Sequence, residues 1–329
     1  MSAAVIIGLS AVVVAIEDGE GCVLTVRPRG PGIGGADLDG LPFGPFDPAG
    51  HRTFELALRA FVTAQTRFDL GYVEQLYTFG DKGRDAPLAD MGQEARGEQR
   101  GESSVRVLSV GYLALAPGAV PTHNTDSQWR PWSRFFPYED WRTGRPSALG
   151  ELEPALKAWA RTPERKARAR LLFALDGAPW NEERVLERYE LLYEAGLAPE
   201  AGRDRGEAPP TRPAALAAAL GEPLISDHRR ILATALGRLR GKLKYRPVVF
   251  ELMPEAFTLS ALQRTAEAIA GVPLHKQNFR RALDRAELVE GLGRLDADTG
   301  GRPAELFRFR REILGARPVS GRSLPLLRD

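Results

Sequence analysis

Two stretches near the C-terminal end carry apolar residues at helical spacing. In the first, Leu259, Leu262, Ala266, Ile269 and Ala270 fall on one face; Thr258 is placed to cap that helix, and Gly271 with Pro273 to end it. In the second, from Lys276 to about Ala286, Phe279, Ala282 and Leu283 mark the buried side. Gln277, Asn278, Arg280, Arg281 and Arg285 are left on the other. Leu288, Val289 and Glu290 then predict a strand, and Gly291, Gly293, Gly300 and Gly301 bracket a polar loop that returns through Ala304 to Arg310. In the returning strand Phe307 and Phe309 share one face, while Leu306, Arg308 and Arg310 share the other. Helix, tight turn, helix and hairpin in this order predict a winged helix-turn-helix. The polar side of its second helix suits a major groove, and Arg294 and Arg302 sit where a wing reaches phosphates or the minor groove.

The N-terminal pattern is different. Val12 to Ile16, Cys22 to Val26, Glu74 to Phe79 and Val105 to Ala116 read as strands. Thr53 to Gln65 reads as a helix, with Phe54, Ala57, Leu58 and Phe61 at packing spacing. The polar run from Asp85 to Ser104 reads as a solvated loop. From about Ser147 to Leu220 the pattern turns helical. Leu152, Leu156 and Trp159 form one stripe; Val185, Leu186, Tyr189, Leu192 and Tyr193 form another, in a helix that Asn181 is placed to cap. Gly202 to Pro213 reads as a surface linker, and Asp227 to Leu243 as one long helix.

Charge changes this picture. From Glu222 to Asp329 the chain holds 20 Lys and Arg against 13 Asp and Glu, a net of +7, whereas the other 221 residues hold 25 against 30, a net of −5. The whole-chain charge of +2 therefore hides a basic end on an acidic body, the footprint of a nucleic-acid module attached to something else. With 329 residues and 43% hydrophobic composition the chain can bury a full core and hold two or three domains. The apolar start, Val5 to Ile16, is interrupted by Gly8 and Ser10 and has no basic leader, so it reads as a buried strand in a cytoplasmic protein with no membrane partner. A single cysteine, Cys22, makes no internal disulfide, and no thiolate zinc site is written in the sequence.

The run Leu274-His275-Lys276-Gln277-Asn278-Phe279-Arg280-Arg281, with Gly301-Arg302-Pro303-Ala304 and Leu306-Phe307-Arg308-Phe309, resembles the winged helix of the Nudix-related transcriptional regulators of NAD metabolism. Asp227 to Leu232, Arg238-Leu239-Arg240, Phe250 to Pro254 and Phe257-Thr258-Leu259 look like that family's junction between its two domains, and Gln75 to Asp81 like its sensor strand. His275 departs from the pattern, where an acidic cap is more usual. The resemblance implies an α/β fold, a Nudix-like α/β/α sandwich, with a helical insertion and a C-terminal winged helix-turn-helix. The corresponding division is 1–146 for the sandwich, 147–221 for the insertion, 222–245 for the last Nudix helix, 246–316 for the winged domain and 317–329 for a tail.

Laid on Arg59, the Nudix signature puts its Glu positions on His51, Ala60, Thr63 and Ala64, and its Gly positions on Pro45 and Thr66. Magnesium needs hard oxygen ligands to bridge a diphosphate and activate water. The segment Ala57 to Thr66 contains no acidic residue, so no catalytic or metal-ligating residue is expected and no cofactor is required. The resemblance implies a nucleotide effector that carries adenosine diphosphate, such as ADP-ribose or NAD, or else ATP.

Candidate effector residues are Arg59, Tyr77, Phe79, Asp81 and Arg84. Arg59 fits either a phosphate partner or a structural partner inside the box, and strand-end aromatics also fit a core. Trp129, Trp132, Phe135, Phe136, Tyr138 and Trp141 could stack an adenine or pack against the inserted helices. Arg161, Arg165, Lys166, Arg168 and Arg170 read as solvated surface, with DNA phosphate as the alternative. Candidate DNA-binding residues are Lys276, Gln277, Asn278, Arg280, Arg281 and Arg285 on the recognition helix, with Arg302 and Arg308 in the wing. The expected function is a repressor acting as a homodimer on a roughly palindromic double-stranded operator near NAD-biosynthesis genes. Alternatives are a Nudix hydrolase with an accessory basic domain, and a winged helix that binds protein.

Overall fold

The structure, a computed structural model, describes residues 5–27, 38–81, 106–119, 126–208, 210–296 and 303–312. Its central strand is β1, Val5–Glu17, whose apolar run lets both faces be covered. Leu9, Ala11, Val13 and Ala15 join one hydrophobic layer, and Val12 and Val14 the other. Gly8 and Ser10 do not interrupt it, since strand pairing satisfies their backbone. β1 runs parallel to β5, Arg106–Leu115, and antiparallel to β2, Glu20–Val26, and to the short β3, Phe43–Pro45. With β4, Tyr72–Phe79, and β6, Ser127–Pro131, the path is β4-β5-β1-β2-β6, with β3 off it on β1.

Helix α1, Phe54–Thr66, covers the first layer through Ala57, Leu58 and Val62; the Thr53 side chain caps it by accepting from Leu56 N. The second layer is covered by helices that precede and include a long one. These are α2, Ala148–Trp159, α3, Pro163–Leu172, α4, Val185–Glu194, α5, Pro199–Asp204, α6, Ala214–Leu220, and α7, His228–Leu243. Leu149, Leu152, Leu156, Phe173, Tyr189 and Leu192 of the insertion are buried in the same cluster as Val12 and Leu113 of the sheet and Leu236 of α7. The insertion is therefore part of the sandwich core. Trp132, Phe135, Phe136 and Tyr138 are buried there too, which is the packing role for that aromatic run.

Two expectations for the insertion are corrected. Asn181 does not cap α4: its Oδ1 accepts from Glu183 N at 3.0 Å, which closes a turn, and the helix starts only at Val185. Nor does a surface linker begin at Gly202. Gly202 is buried inside α5, and Arg203 beside it donates to the carbonyls of Leu224 at 2.8 Å and Ser226 at 2.6 Å, contacts that local composition does not announce.

The C-terminal part forms β7, Phe257–Thr258, α8, Leu259–Ala270, α9, Lys276–Ala286, β8, Val289–Asp296, and β9, Ala304–Phe309, with sheet order β7-β9-β8. β8 runs straight through Gly291 and Gly293, which were expected to open the loop. The chain tolerates them with a register shift between Gly291 and Leu295, and with Gly293 in the left-handed region at φ +64°. Gly300 and Gly301 lie outside the described residues, as does the expected polar loop from Asp85 to Ser104. Among the described residues no helix is long and apolar enough to cross a membrane.

Candidate nucleic-acid interface and sensor face

The first helix of the winged domain starts at Thr258, whose hydroxyl accepts from Ala261 N at 3.1 Å, and α8 ends on Gly271 at φ +68°. The turn that follows is fixed by two side chains of α8. Glu267 Oε1 accepts from Leu274 N at 3.0 Å, and Gln263 Nε2 donates to Leu274 O at 3.0 Å and to Glu267 Oε1 at 3.0 Å. These polar residues hold the angle between the two helices and were not singled out in the sequence. A Gln and a Glu one turn apart, just before a Gly and a Pro, were the available signal.

α9 buries Phe279, Ala282, Leu283 and Ala286. Lys276, Gln277, Asn278, Arg281 and Arg285 are all exposed on its other side, together with the acidic Asp284. The His275 side chain makes no capping hydrogen bond, so the first N–H groups of α9 keep their partial positive charge unanswered by a side chain. Arg280 departs from the expected free face. It is half-buried, and its Nη2 reaches Ser260 Oγ at 3.3 Å on α8, because its position turns it toward the first helix.

In the wing, Phe309 stacks on Phe250 with ring centroids 4.1 Å apart, which ties β9 to the turn of helix at Val248–Leu252. Arg308 is exposed and ion-paired to Glu290 on β8. Arg294 is exposed, and Arg302 lies outside the described residues.

The sensor candidates do not gather in one place. Arg59 is committed to structure: its Nη2 bonds Glu55 Oε1 at 2.8 Å and Gly71 O at 3.0 Å, and its Nη1 bonds Leu70 O. Those acceptors precede the start of β4. Tyr77, Phe79 and Asp81 lie at its far end, and an eight-residue strand is about 25 Å long. Tyr77 is exposed, and its ring meets Phe79 edge-on at 5.5 Å. Phe79 is core, with Arg230 of α7 lying 5.4 Å from its ring; the same arginine pairs with Asp81, with Asp227 at 3.2 Å and with Glu190 at 2.7 Å. Arg230 is thus the residue that joins two of the candidates, and sequence reasoning missed it, since only folding brings α7 to the end of β4. Arg84 lies outside the described residues.

At the Nudix-box positions, His51 Nδ1 accepts from Asp47 N at 3.0 Å and its ring packs edge-on to Phe61. The Thr63 hydroxyl donates to Asp69 Oδ1 at 2.9 Å. Glu55 is the one acidic residue of α1, and the Arg59 ion pair engages it.

The sequence profile of the NrtR DNA-binding winged helix domain matches residues 249–309, from the turn under Phe250 to the end of β9. The last domain is an NrtR-type winged helix. It is joined here to a Nudix-like sandwich. The ADPR responsive transcriptional repressor NtrR of Acinetobacter baylyi is 40% identical over 91 residues, which are 28% of this chain and 36% of that protein; the match thus spans about a third of the relative's length. Across most of the chain the fold is that of NrtR from Shewanella oneidensis, solved with a 27mer DNA. That structure has TM-score 0.53 and 22% identity, with 92% of this chain and 93% of the other covered. A MutT/nudix family protein from Enterococcus faecalis shares the fold at TM-score 0.51 and 15% identity, over 92% of this chain and 87% of its own.

Proposed function

We propose that the chain is a DNA-binding transcriptional repressor of NAD-metabolism genes whose Nudix-like sandwich senses an adenine nucleotide. The observation that carries this reading is the outward side of α9, where Lys276, Gln277, Asn278, Arg281 and Arg285 are exposed together on a winged helix of the NrtR type. Arg and Lys read guanine edges, and Asn and Gln read adenine, so the face has the donors that a major-groove reader needs. Arg308 and Arg302 complete the contact from the wing, and Arg280 serves phosphate from its position beside Ser260. A homodimer would set two such helices about 34 Å apart on a palindromic double-stranded operator. In this proposal residues 1–146 and 222–245 are the sensor, 246–316 the reader and 317–329 a tail, and the protein acts in the cytoplasm.

ADP-ribose stands ahead of NAD and ATP as effector because the Acinetobacter relative is named for its response to ADPR. Tyr77 and Asp81, with Arg84 beyond them, are the proposed contacts; Phe79 acts from behind as packing and Arg59 as a brace of the box. Hydrolysis is not part of the proposal, since α1 carries a single carboxylate and that one is held by Arg59. Incubation with ADP-ribose and magnesium should release no AMP, and metal-dependent release would favour the hydrolase reading.

Fluorescence anisotropy on a duplex from the chain's own upstream DNA tests the reader. Arg281→Ala should cost about 1 to 3 kcal/mol and relax specificity at one base position. Lys276→Ala should weaken all sequences alike and flatten the log–log salt slope by about 0.9. If Arg281→Ala bound every duplex as the parent does, α9 would not be the reader.

A further inference from the structure

The turn that leads into α4 crosses α7 where α7 has no side chains. Gly237 and Gly241 lie one turn apart, and a Cβ on them would stand 2.8 Å from the Glu183 carbonyl oxygen and 3.5 Å from the Glu183 carboxylate. This close approach brings the Glu182 carbonyl to Arg240, whose Nη1 donates to it at 2.9 Å. Lys244 closes the crossing on the carboxylates of Glu182, at 2.9 Å, and of Glu183.

Under the crossing lies Glu139, 1% exposed, which follows β6. It accepts from Arg188 of α4 through Nε at 2.5 Å and Nη2 at 2.8 Å, and from Arg240 Nη1 at 2.5 Å. Two buried guanidinium groups on one carboxylate persist only where their other N–H groups are also bonded. For Arg188 the Asn181 and Leu172 carbonyls serve; for Arg240 the Ile269 carbonyl does, at 2.9 Å. Ile269 belongs to α8, the first helix of the winged domain. Beside it, a Cβ on Gly271 would lie 2.5 Å from Glu139 O, and Trp141 N donates to Gly271 O at 2.6 Å. Trp141 in turn packs against Trp180 of the insertion, with ring centroids 4.7 Å apart and the planes tilted by 33°.

We infer that the inserted helices are a brace that fixes the direction in which the winged domain leaves the sandwich, with Arg240 as its positioning residue. The brace acts on DNA only through the operator binding proposed above. The C-terminal end of α8 is held by Arg240 of α7 and by Glu139 and Trp141 of the sandwich, and the insertion backs each of these, with the Glu182 carbonyl on Arg240, Arg188 on Glu139 and Trp180 on Trp141, so α9 is presented at one angle. A loosened clamp leaves the reader folded but lets it swing, and a two-site operator is then engaged at an entropic cost.

Two variants of the full chain test it. Gly237→Ala places a methyl against the Glu183 carbonyl; alanine favours a helix over glycine, so any loss comes through the crossing and not through α7 itself. Arg240→Met removes the tie to Ile269 while Glu139 keeps Arg188 as a one-to-one partner. Hydrogen exchange at the Trp141 amide reads the joint, and anisotropy on the upstream duplex reads the consequence. In both variants the Trp141 amide should exchange about tenfold faster and duplex affinity should fall about tenfold, with the amides of α8 and α9 as protected as in the parent. Unchanged exchange in both variants would overturn the brace, and faster exchange with parental affinity would overturn its positioning role. If Arg240→Met lost protection throughout, Gly237→Ala alone would decide. A parent chain that bound no duplex would sink the operator reading, and the exchange result would then decide the brace by itself.

Discussion

His228 shows how much a single side chain fixes. Its Nδ1 accepts from Leu41 N at 2.9 Å, its ring meets Phe43 edge-on at 5.0 Å, and burial together with the nearby Arg203 pulls its pKa down to about 3. The ring is therefore neutral in the native state, while in the unfolded chain it titrates near 6.5. Because the folded value is depressed, the unfolded state binds more protons between those values, so stability is fully present above about pH 6.5 and is lost as pH falls toward the folded value. Between pH 7 and pH 5 this one group should remove about 2 kcal/mol. Chemical denaturation at both pH values should show a smaller loss by about that amount in His228→Gln; equal pH dependence in parent and variant would contradict the assignment. Arg59 makes the complementary point. Its i, i+4 partner Glu55 could be read from the sequence, but the carbonyls of Leu70 and Gly71 could not, and they decide that the guanidinium braces the box.

At the scale of elements, those with strong helical period were legible. α8 and α9 run over the residues that the apolar spacing marks, because each has a buried stripe, and α8 adds a Thr cap and a left-handed Gly as local signals. Thr258→Ala should cost about 1 kcal/mol of stability, read as a lower denaturation midpoint with unchanged slope. An unchanged midpoint would show that the cap does not hold the helix. Elements made by distant partners were not legible. β3 has three residues and exists because β1 lies beside it; α5 has six and is held by Arg203 on the loop at Leu224 and Ser226. Gly291 and Gly293 signal a turn in the sequence, whereas pairing with β9 keeps β8 going through them. The exposed polar side of α9 was legible apart from Arg280, whose turn toward Ser260 depends on how α9 crosses α8. The surroundings of Phe79 and Asp81 were not legible, since Arg230 lies about 150 residues along the chain from Asp81, and such contacts leave no local pattern.

At the scale of the whole molecule, sandwich, insertion and winged helix share one apolar core. That core runs from Val12 of the sheet through Leu236 of α7 to Leu262 and Phe279 of the winged helix. One helix touches both ends of the proposed circuit: Arg230 near the start of α7 pairs with Asp81, and Arg240 near its end bonds Ile269 O. A nucleotide lowers operator affinity only if it binds the DNA-incompetent arrangement more tightly, and the linkage must then be reciprocal. The charge division falls along the chain, with net +7 from Glu222 to Asp329, a span that takes in α7 and the winged helix, and net −5 over the residues before it. The most direct measurement is anisotropy of the full chain on its upstream duplex while ADP-ribose is titrated, repeated with NAD and ATP as controls. ADP-ribose should weaken duplex binding, and the duplex should weaken ADP-ribose binding by the same factor; duplex affinity unchanged at saturating ADP-ribose would contradict the account.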